Sequence, residues 1–317
     1  KDGVYLGEYD KANKKVTVAI IDKTKPFSEL KGTGLVAGIK DLLKNHNLIK
    51  YQVGNQPARD LKAIEKASGN EQELVNNLAQ IVGSDIGVEI NGQGSNINTL
   101  ADFIDKKITL KLTVQEPDCE NNPVELTYTI EGKEAISSIL KGKLSPQDIK
   151  VWKGEPIDWE MGVKKDETGL TAKQIEQIKD EFSTVENGVK KAGKAKFEDA
   201  TTPARDSNAV SAKPFEGNIK VKFSDGSELL VEKQNLYVSE HMTGSKNANA
   251  PEDAIEVQFL LGNGVKAKKG ETEFIGAETP VVYETYKVKP NLNLDKYKLP
   301  SNQNIFESIN PQVTDAS

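Results

Sequence analysis

The residues with the chemistry to react are few and scattered. Cys119 is the only cysteine, in the polar turn Pro117-Asp-Cys-Glu-Asn-Asn-Pro123. A nucleophilic thiol needs a lowered pKa, and the flanking Asp118 and Glu120 disfavour the thiolate, so Cys119 reads as an unreactive loop residue. His46 and His241, the only two histidines, lie far apart in the chain. A hydrolase triad therefore lacks its base, and zinc lacks its usual ligands. Gly32-Thr-Gly34 with Gly38 at a helix start has the glycine content of a dinucleotide-binding turn. The strand before it ends near Asp22, too early for that motif, and no acid stands where a ribose-binding carboxylate belongs. Glu198, Asp199 and Asp206 lack the alternating oxygens and central glycine of a calcium loop, and read as a solvated acidic edge.

The remaining candidates suit contact better than reaction. Tyr51 and Arg59, within Lys50-Tyr-Gln-Val-Gly-Asn-Gln-Pro-Ala-Arg59, belong to residue types enriched at interface hot spots, and are the candidate ligand-binding residues. Trp152 and Trp159 either form an indole contact platform or pack inside a small module that has few other large residues to bury. No metal or cofactor is implied, and no catalytic residue is assigned.

Charge narrows the partners. The 42 basic and 48 acidic residues leave a net charge of -6 and are interspersed, with no basic stripe to neutralise phosphates. Arg59 and Arg205 are the only arginines, so the forked donors favoured for nucleic-acid recognition are scarce. Nucleic acid is excluded as a partner on that basis. No apolar run approaches the roughly 18 residues of a membrane span, so no membrane insertion is expected of this segment.

Three segments must position these residues. In the first, residues 1–134, Lys15-Val-Thr-Val-Ala-Ile-Ile-Asp22 reads as a strand after the turn Asp10-Lys-Ala-Asn-Lys14. Leu35, Val36, Ile39, Leu42 and Leu43, then Leu74, Val75, Leu78, Ile81 and Val82, recur at helical spacing. Ile97, Leu100, Phe103 and Ile104 suggest a shorter helix, and residues 107–114 and 124–130 alternate as strands. Helices over an antiparallel or mixed sheet make an α+β N-terminal module.

Gly132, Gly142 and Pro146 interrupt periodicity, placing a boundary between Glu131 and Pro146. The second segment, 135–240, carries Val151 to Trp159, a helix behind the cap Thr171, and a hairpin turning at Ser224-Asp-Gly-Ser227. Polar residues 241–253 read as a linker or long loop. The third segment, 241–317, has strands at 255–261 and 281–288 and a short helix at 304–309. With 36% hydrophobic and 6% aromatic residues, each core should be small and the multidomain chain elongated.

Two stretches resemble modular surface proteins of Gram-positive anaerobic cocci and the Rib/alpha-like streptococcal surface proteins. One comprises Val151-Trp-Lys-Gly-Glu-Pro-Ile-Asp-Trp-Glu-Met-Gly-Val163 and Val221-Lys-Phe-Ser-Asp-Gly-Ser227. The other comprises Phe259-Leu-Leu-Gly-Asn-Gly-Val265 and Pro280-Val-Val-Tyr-Glu-Thr-Tyr-Lys-Val-Lys-Pro-Asn291. The resemblance implies two small β-rich modules, Ig-like, Rib-like or β-grasp-like, in a secreted, wall-anchored protein without a cofactor. It implies a non-enzymatic adhesin of the cell surface, its N-terminal module recognising a host matrix, serum or cell-surface protein or glycan and its later modules acting as stalk. Leu299-Pro-Ser-Asn-Gln303 departs from a wall-sorting signal, so anchoring is expected through sequence outside this segment. The alternatives are a purely structural stalk, or a surface enzyme or solute-binding protein whose site lies in the N-terminal module.

Overall fold

A computed structural model describes residues 4–10, 12–27, 47–92, 99–115, 123–261, 281–293 and 304–308. They group into two compact units. Unit 1 takes Lys1–Leu144, Lys165–Lys196 and Val221–Leu229, and unit 2 takes Ser145–Lys164, Phe197–Lys220 and Leu230–Ser317. Strands predominate over helices, and they are divided among several small sheets.

Unit 1 is built on a six-stranded sheet. Its strands are β1 (Val4–Asp10), β2 (Lys15–Ile20), β3 (Asn47–Val53), β4 (Arg59–Asp60), β5 (Lys107–Gln115) and β6 (Val124–Glu134), in the order β1-β2-β6-β5-β3-β4. The turn before β2 is closed by Asp10, whose carboxylate accepts from the Asn13 backbone at 3.0 Å and its amide at 2.6 Å. β2 and β6 run parallel, whereas the other pairings are antiparallel. Two helices follow β4: α1 (Leu61–Lys66) and α2 (Glu71–Asn91). Asn70 caps α2 by accepting from the Glu73 amide at 2.9 Å. Leu78, Val82 and Ile86, four residues apart, form its buried stripe and join Val18, Ile20, Tyr51, Leu110, Leu112 and Ile130 in one core. Leu100–Phe103 is a single 3-10 turn that buries Leu100 and Phe103.

The stretch that composition marks as a break is packed. Ala135 and Leu140 are fully buried around the short helix α3 (Ile136–Ile139). Its first amides are satisfied from far along the chain: Ile136 donates to Asp225 at 2.8 Å and Ser137 to the Ser227 hydroxyl at 3.1 Å. β7 (Leu144–Pro146) pairs with β9 (Val163–Lys165).

The remaining elements are β8 (Ile149–Trp152), α4 (Ala172–Ile178), β10 (Thr184–Glu186), β11 (Val189–Lys191), β12 (Lys196–Asp199), β13 (Phe215–Lys222) and β14 (Glu228–Ser239). Thr171 caps α4 in a reciprocal box with Gln174, as its sequence predicts. The turn between β13 and β14 has Gly226 at φ +87°, a left-handed conformation that glycine adopts without steric cost. Strands β12-β13-β14-β8 form a four-stranded sheet, with β8 parallel to β14.

The last sheet, in unit 2, has the order β15-β17-β16-β18, with β15 (Met242–Gly244), β16 (Ile255–Leu261), β17 (Val281–Val288) and β18 (Asn304–Ser308). Two expectations are corrected here. Residues 242–244 are a strand paired with β17, and turns and irregular backbone fill 245–254, so 241–253 is largely the long loop of the two readings and not a free linker. Its polar residues bond one another: the Asn247 amide donates to Thr243 at 3.0 Å and its carbonyl accepts from the Asn249 amide at 3.0 Å. Residues 304–308 are a strand rather than a helix, because the open edge of β16 supplies backbone partners that one isolated helical turn could not.

Candidate functional site

The two residues singled out for binding lie opposite each other across β3 and β4. Tyr51 is 1% exposed and sits in the core of unit 1. Its expected role as a surface contact is therefore corrected: alternation along β3 points Tyr51 and Val53 inward, with Lys50 outward. Arg59 forms a two-bonded pair with Asp85 of α2, Nε–Oδ2 at 3.0 Å and Nη2–Oδ1 at 2.7 Å. Asp85 is buried and the Arg59 side chain is 38% exposed. The Tyr51 hydroxyl is buried with no hydrogen-bond partner. Burial, reinforced by the Asp85 charge and opposed by Arg59, pushes it well above the ordinary tyrosine range. A hydroxyl held neutral and enclosed serves neither as a base nor as a contact.

A second charge group in unit 1 carries no sequence signature. Glu131 of β6 is almost buried and accepts from Lys15 at 2.7 Å and Lys133 at 3.2 Å. Lys133 also reaches Asp105 at 3.0 Å, and Lys173 reaches the other Asp105 oxygen at 2.8 Å. Burial opposes the charge on Glu131 and Asp105, but the lysine hydrogen bonds outweigh it and hold both carboxyls below their ordinary values. Every charge has an opposite neighbour, so the network is a staple and not an acid–base pair poised for proton transfer.

Unit 2 contains a cleft of about 580 Å³ beside Trp152. Trp152 itself is buried, and its indole donates to Asp253 at 2.9 Å. Trp152 is therefore packing rather than part of an exposed platform. Trp159 instead stacks under Arg205, with the guanidinium carbon 4.9 Å from the ring centroid. Of the other charged lining residues, Glu155 pairs with Lys289 at 2.7 Å, Lys150 donates to the Ala248 carbonyl at 3.2 Å, and Asp158 accepts from the Glu160 amide at 3.2 Å. Asp148 and Glu252 are exposed, without ion-pair partners among the described residues, beside exposed Met161. Such a cleft can hold a cationic, partly apolar segment. Among its described lining there is no serine, cysteine or histidine to act as nucleophile or base.

Arg205 was not singled out by sequence. Its side chain is 5% exposed, and it bonds Asp199 at 3.1 Å, the Phe215 carbonyl at 2.7 Å, and both the backbone and side chain of Gln234 at 3.0 and 2.8 Å. The expectation of a solvated edge is corrected for Asp199, which is the buried partner of this arginine; Glu198 pairs with Lys220 at 3.0 Å. His241 bonds the Lys153 carbonyl at 2.8 Å. Cys119, His46, Gly32, Gly34, Gly38 and the helix expected from Leu35 lie outside the described residues.

Among the described residues, no group of three His, Cys, Asp or Glu side chains could hold a metal, and no helix is long and apolar enough to cross a membrane. No family model and no curated protein matches the chain.

Proposed function

We propose that this chain belongs to a non-enzymatic adhesin on a Gram-positive cell surface, built of small Rib-like or Ig-like β modules and anchored through sequence outside this segment. The observation that carries the proposal is the disposition of charge in the unit 2 cleft. The committed carboxylates there hold structure, while Asp148, Glu252 and Met161 present an acidic, partly apolar surface without reactive groups. Most of its wall comes from Ile149 to Met161, which overlaps the stretch resembling modular surface proteins. On this reading the cleft is a contact surface within a segment expected to act as stalk, beside any contact made by the N-terminal module.

The test uses the whole chain immobilised on beads and measures attachment to host cells and to matrix and serum proteins. Attachment above bare beads is expected, and Asp148→Lys with Glu252→Lys should weaken it. Attachment no better than bare beads would leave the purely structural stalk as the surviving reading. Unchanged attachment by the double variant would move recognition to unit 1.

A further inference from the structure

The hairpin β10–β11 has no evident structural task. Its strands form a two-stranded sheet of their own, and all six strand residues are exposed. Val185 is 72% and Val189 68% exposed, so the ribbon buries almost nothing. A two-stranded ribbon of this kind is marginal in water. It is nonetheless held in register by the Asn187-Gly188 turn, with φ of +51° and +76°, the conformation that gives a tight hairpin its twist. Past the ribbon, Lys194 and Ala195 donate to the Asp180 and Glu181 carbonyls at 2.8 and 3.0 Å, which fixes the base while the tip projects.

This segment is where the interspersed charge pattern fails. Lys190, Lys191, Lys194 and Lys196 are four exposed lysines within Lys190-Lys-Ala-Gly-Lys-Ala-Lys196, and no acid interrupts them. Among the described residues Lys191, Lys194 and Lys196 have no ion-pair partner. Glu186 is the ribbon's own carboxylate. The net charge of -6 does not cancel the patch, because at physiological ionic strength the Debye length is about 8 Å and a ligand at the tip senses mainly what lies within it.

We infer that the segment Thr184–Lys196 is a docking site for a sulfated polysaccharide. Short lysine-rich runs of this length are a recognised signature of polyanion patches. Three features choose among polyanions. Val185 is opposite Lys190 and Val189 opposite Glu186, so the valines project from opposite faces and no single apolar face exists to enter a lipid surface; Lys190 and Lys191 divide the same way, so the partner must be a flexible polymer that wraps the ribbon to reach both. No arginine or exposed aromatic ring accompanies the lysines, which removes the stacking platforms that bind single-stranded nucleic acid. Lysine ammoniums act as point charges, suited to delocalised anions spaced along a flexible chain. The choice of a host sulfated polymer over the cell's own phosphate polymers rests on the proposed adhesive role.

The experiment is binding of the whole chain to heparin between 50 and 200 mM salt. Four lysine contacts should weaken binding on the order of 100-fold across that range, by the counter-ion release seen on a polyanion as dense as duplex DNA. Lys190→Gln, Lys191→Gln, Lys194→Gln and Lys196→Gln combined should lose at least about 10-fold at 50 mM while keeping the parent's melting temperature, since these side chains support no core. Retained heparin binding in that variant, or none in the parent, overturns the inference. So does stronger lysine-dependent binding to teichoic acid or to phosphatidylserine vesicles. Beads adhering equally to cells with and without sulfated glycans would overturn it while leaving the adhesin proposal intact. Lysine-dependent heparin binding with no cell attachment would do the reverse.

Discussion

The two arginines of this chain solve the same problem differently. Arg205 in unit 2 is enclosed and directs its donors at Asp199, Gln234 and the Phe215 carbonyl, with the Trp159 ring beneath it. Arg59 in unit 1 stands at a sheet edge, partly in water, and neutralises one buried carboxylate, Asp85, while the neighbouring Tyr51 hydroxyl goes without a partner. The first arrangement is complete and pins the 200–214 loop onto two strands. The second is incomplete, and removing polarity from it should cost less than removing polarity from the first.

The largest effect is expected for Arg205→Ala, about 3–5 kcal/mol of stability, because Asp199 would be left buried and unpaired. Arg205→Lys should recover little, since an ammonium cannot span these acceptors as a planar fork does. Denaturant midpoints would measure both, and a loss under 1 kcal/mol would break the contrast.

Arg59→Ala is expected to cost less, about 1–3 kcal/mol, since the partly exposed arginine would leave a gap through which water can reach Asp85. Asp85→Asn added to it should recover part of that loss. Failure to do so in the same denaturant series would show that Asp85 is not the source of the cost.

Acidification extends the comparison to the Glu131 and Asp105 staple. Both carboxyls are held below their ordinary values of 4.5 and 3.8. Their contribution is complete above about pH 4.5 and disappears as pH falls through the depressed folded-state values. Glu131→Gln should be less stable than the parent at pH 7 by about 1 kcal/mol, with the gap closing on acidification. Thermal melts across pH 2 to 7 would show a constant gap if Glu131 were idle.

The smallest effect is a gain. Tyr51→Phe removes a buried hydroxyl that bonds nothing, so stability should be unchanged or rise by up to about 1 kcal/mol. Because the Tyr51 pKa is raised from 10.0, the parent's contribution from this group is complete below that pH. It declines as pH rises through the folded value, and the alkaline limb should therefore flatten in the variant. A clear loss of stability at pH 7 would mean that the hydroxyl has a partner after all.

Periodicity made much of the scaffold legible. The helix at 71–91, the strands at 15–20, 107–115 and 124–134, the Thr171 cap and the Asp225-Gly226 turn all carry local signals that tertiary packing leaves in place. Local signals failed where partners are distant. Nothing in Met242-Thr-Gly244 or Asn304-Ile-Phe-Glu-Ser308 announces a strand, because each becomes one only against an edge supplied by β17 or β16. Polarity misled at Asp199, whose type suits a solvated edge but which shares its burial with Arg205, six residues further on. Tyr51 failed for the opposite reason: its type suits an interface, yet the alternation through Tyr51 and Val53 already marked the inward face. The lysines of 190–196 are a local excess that the chain's net charge of -6 masks.

The capping of α3 by Asp225, 89 residues further along the chain, bears on how this protein reaches its native state. A helix of four residues cannot hold itself together in water, so Ile136–Ile139 is complete only once the β13–β14 turn has been made and delivered to it. Closing a longer loop adds only about 0.6 kcal/mol for each doubling of its length, so the distance is a delay rather than a thermodynamic burden. The delay falls on kinetics: a topology dominated by such remote pairings belongs among slow folders, on the millisecond-to-second scale. During synthesis, the Ile136 and Ser137 amides would wait for nearly a third of the chain to emerge before their acceptors exist.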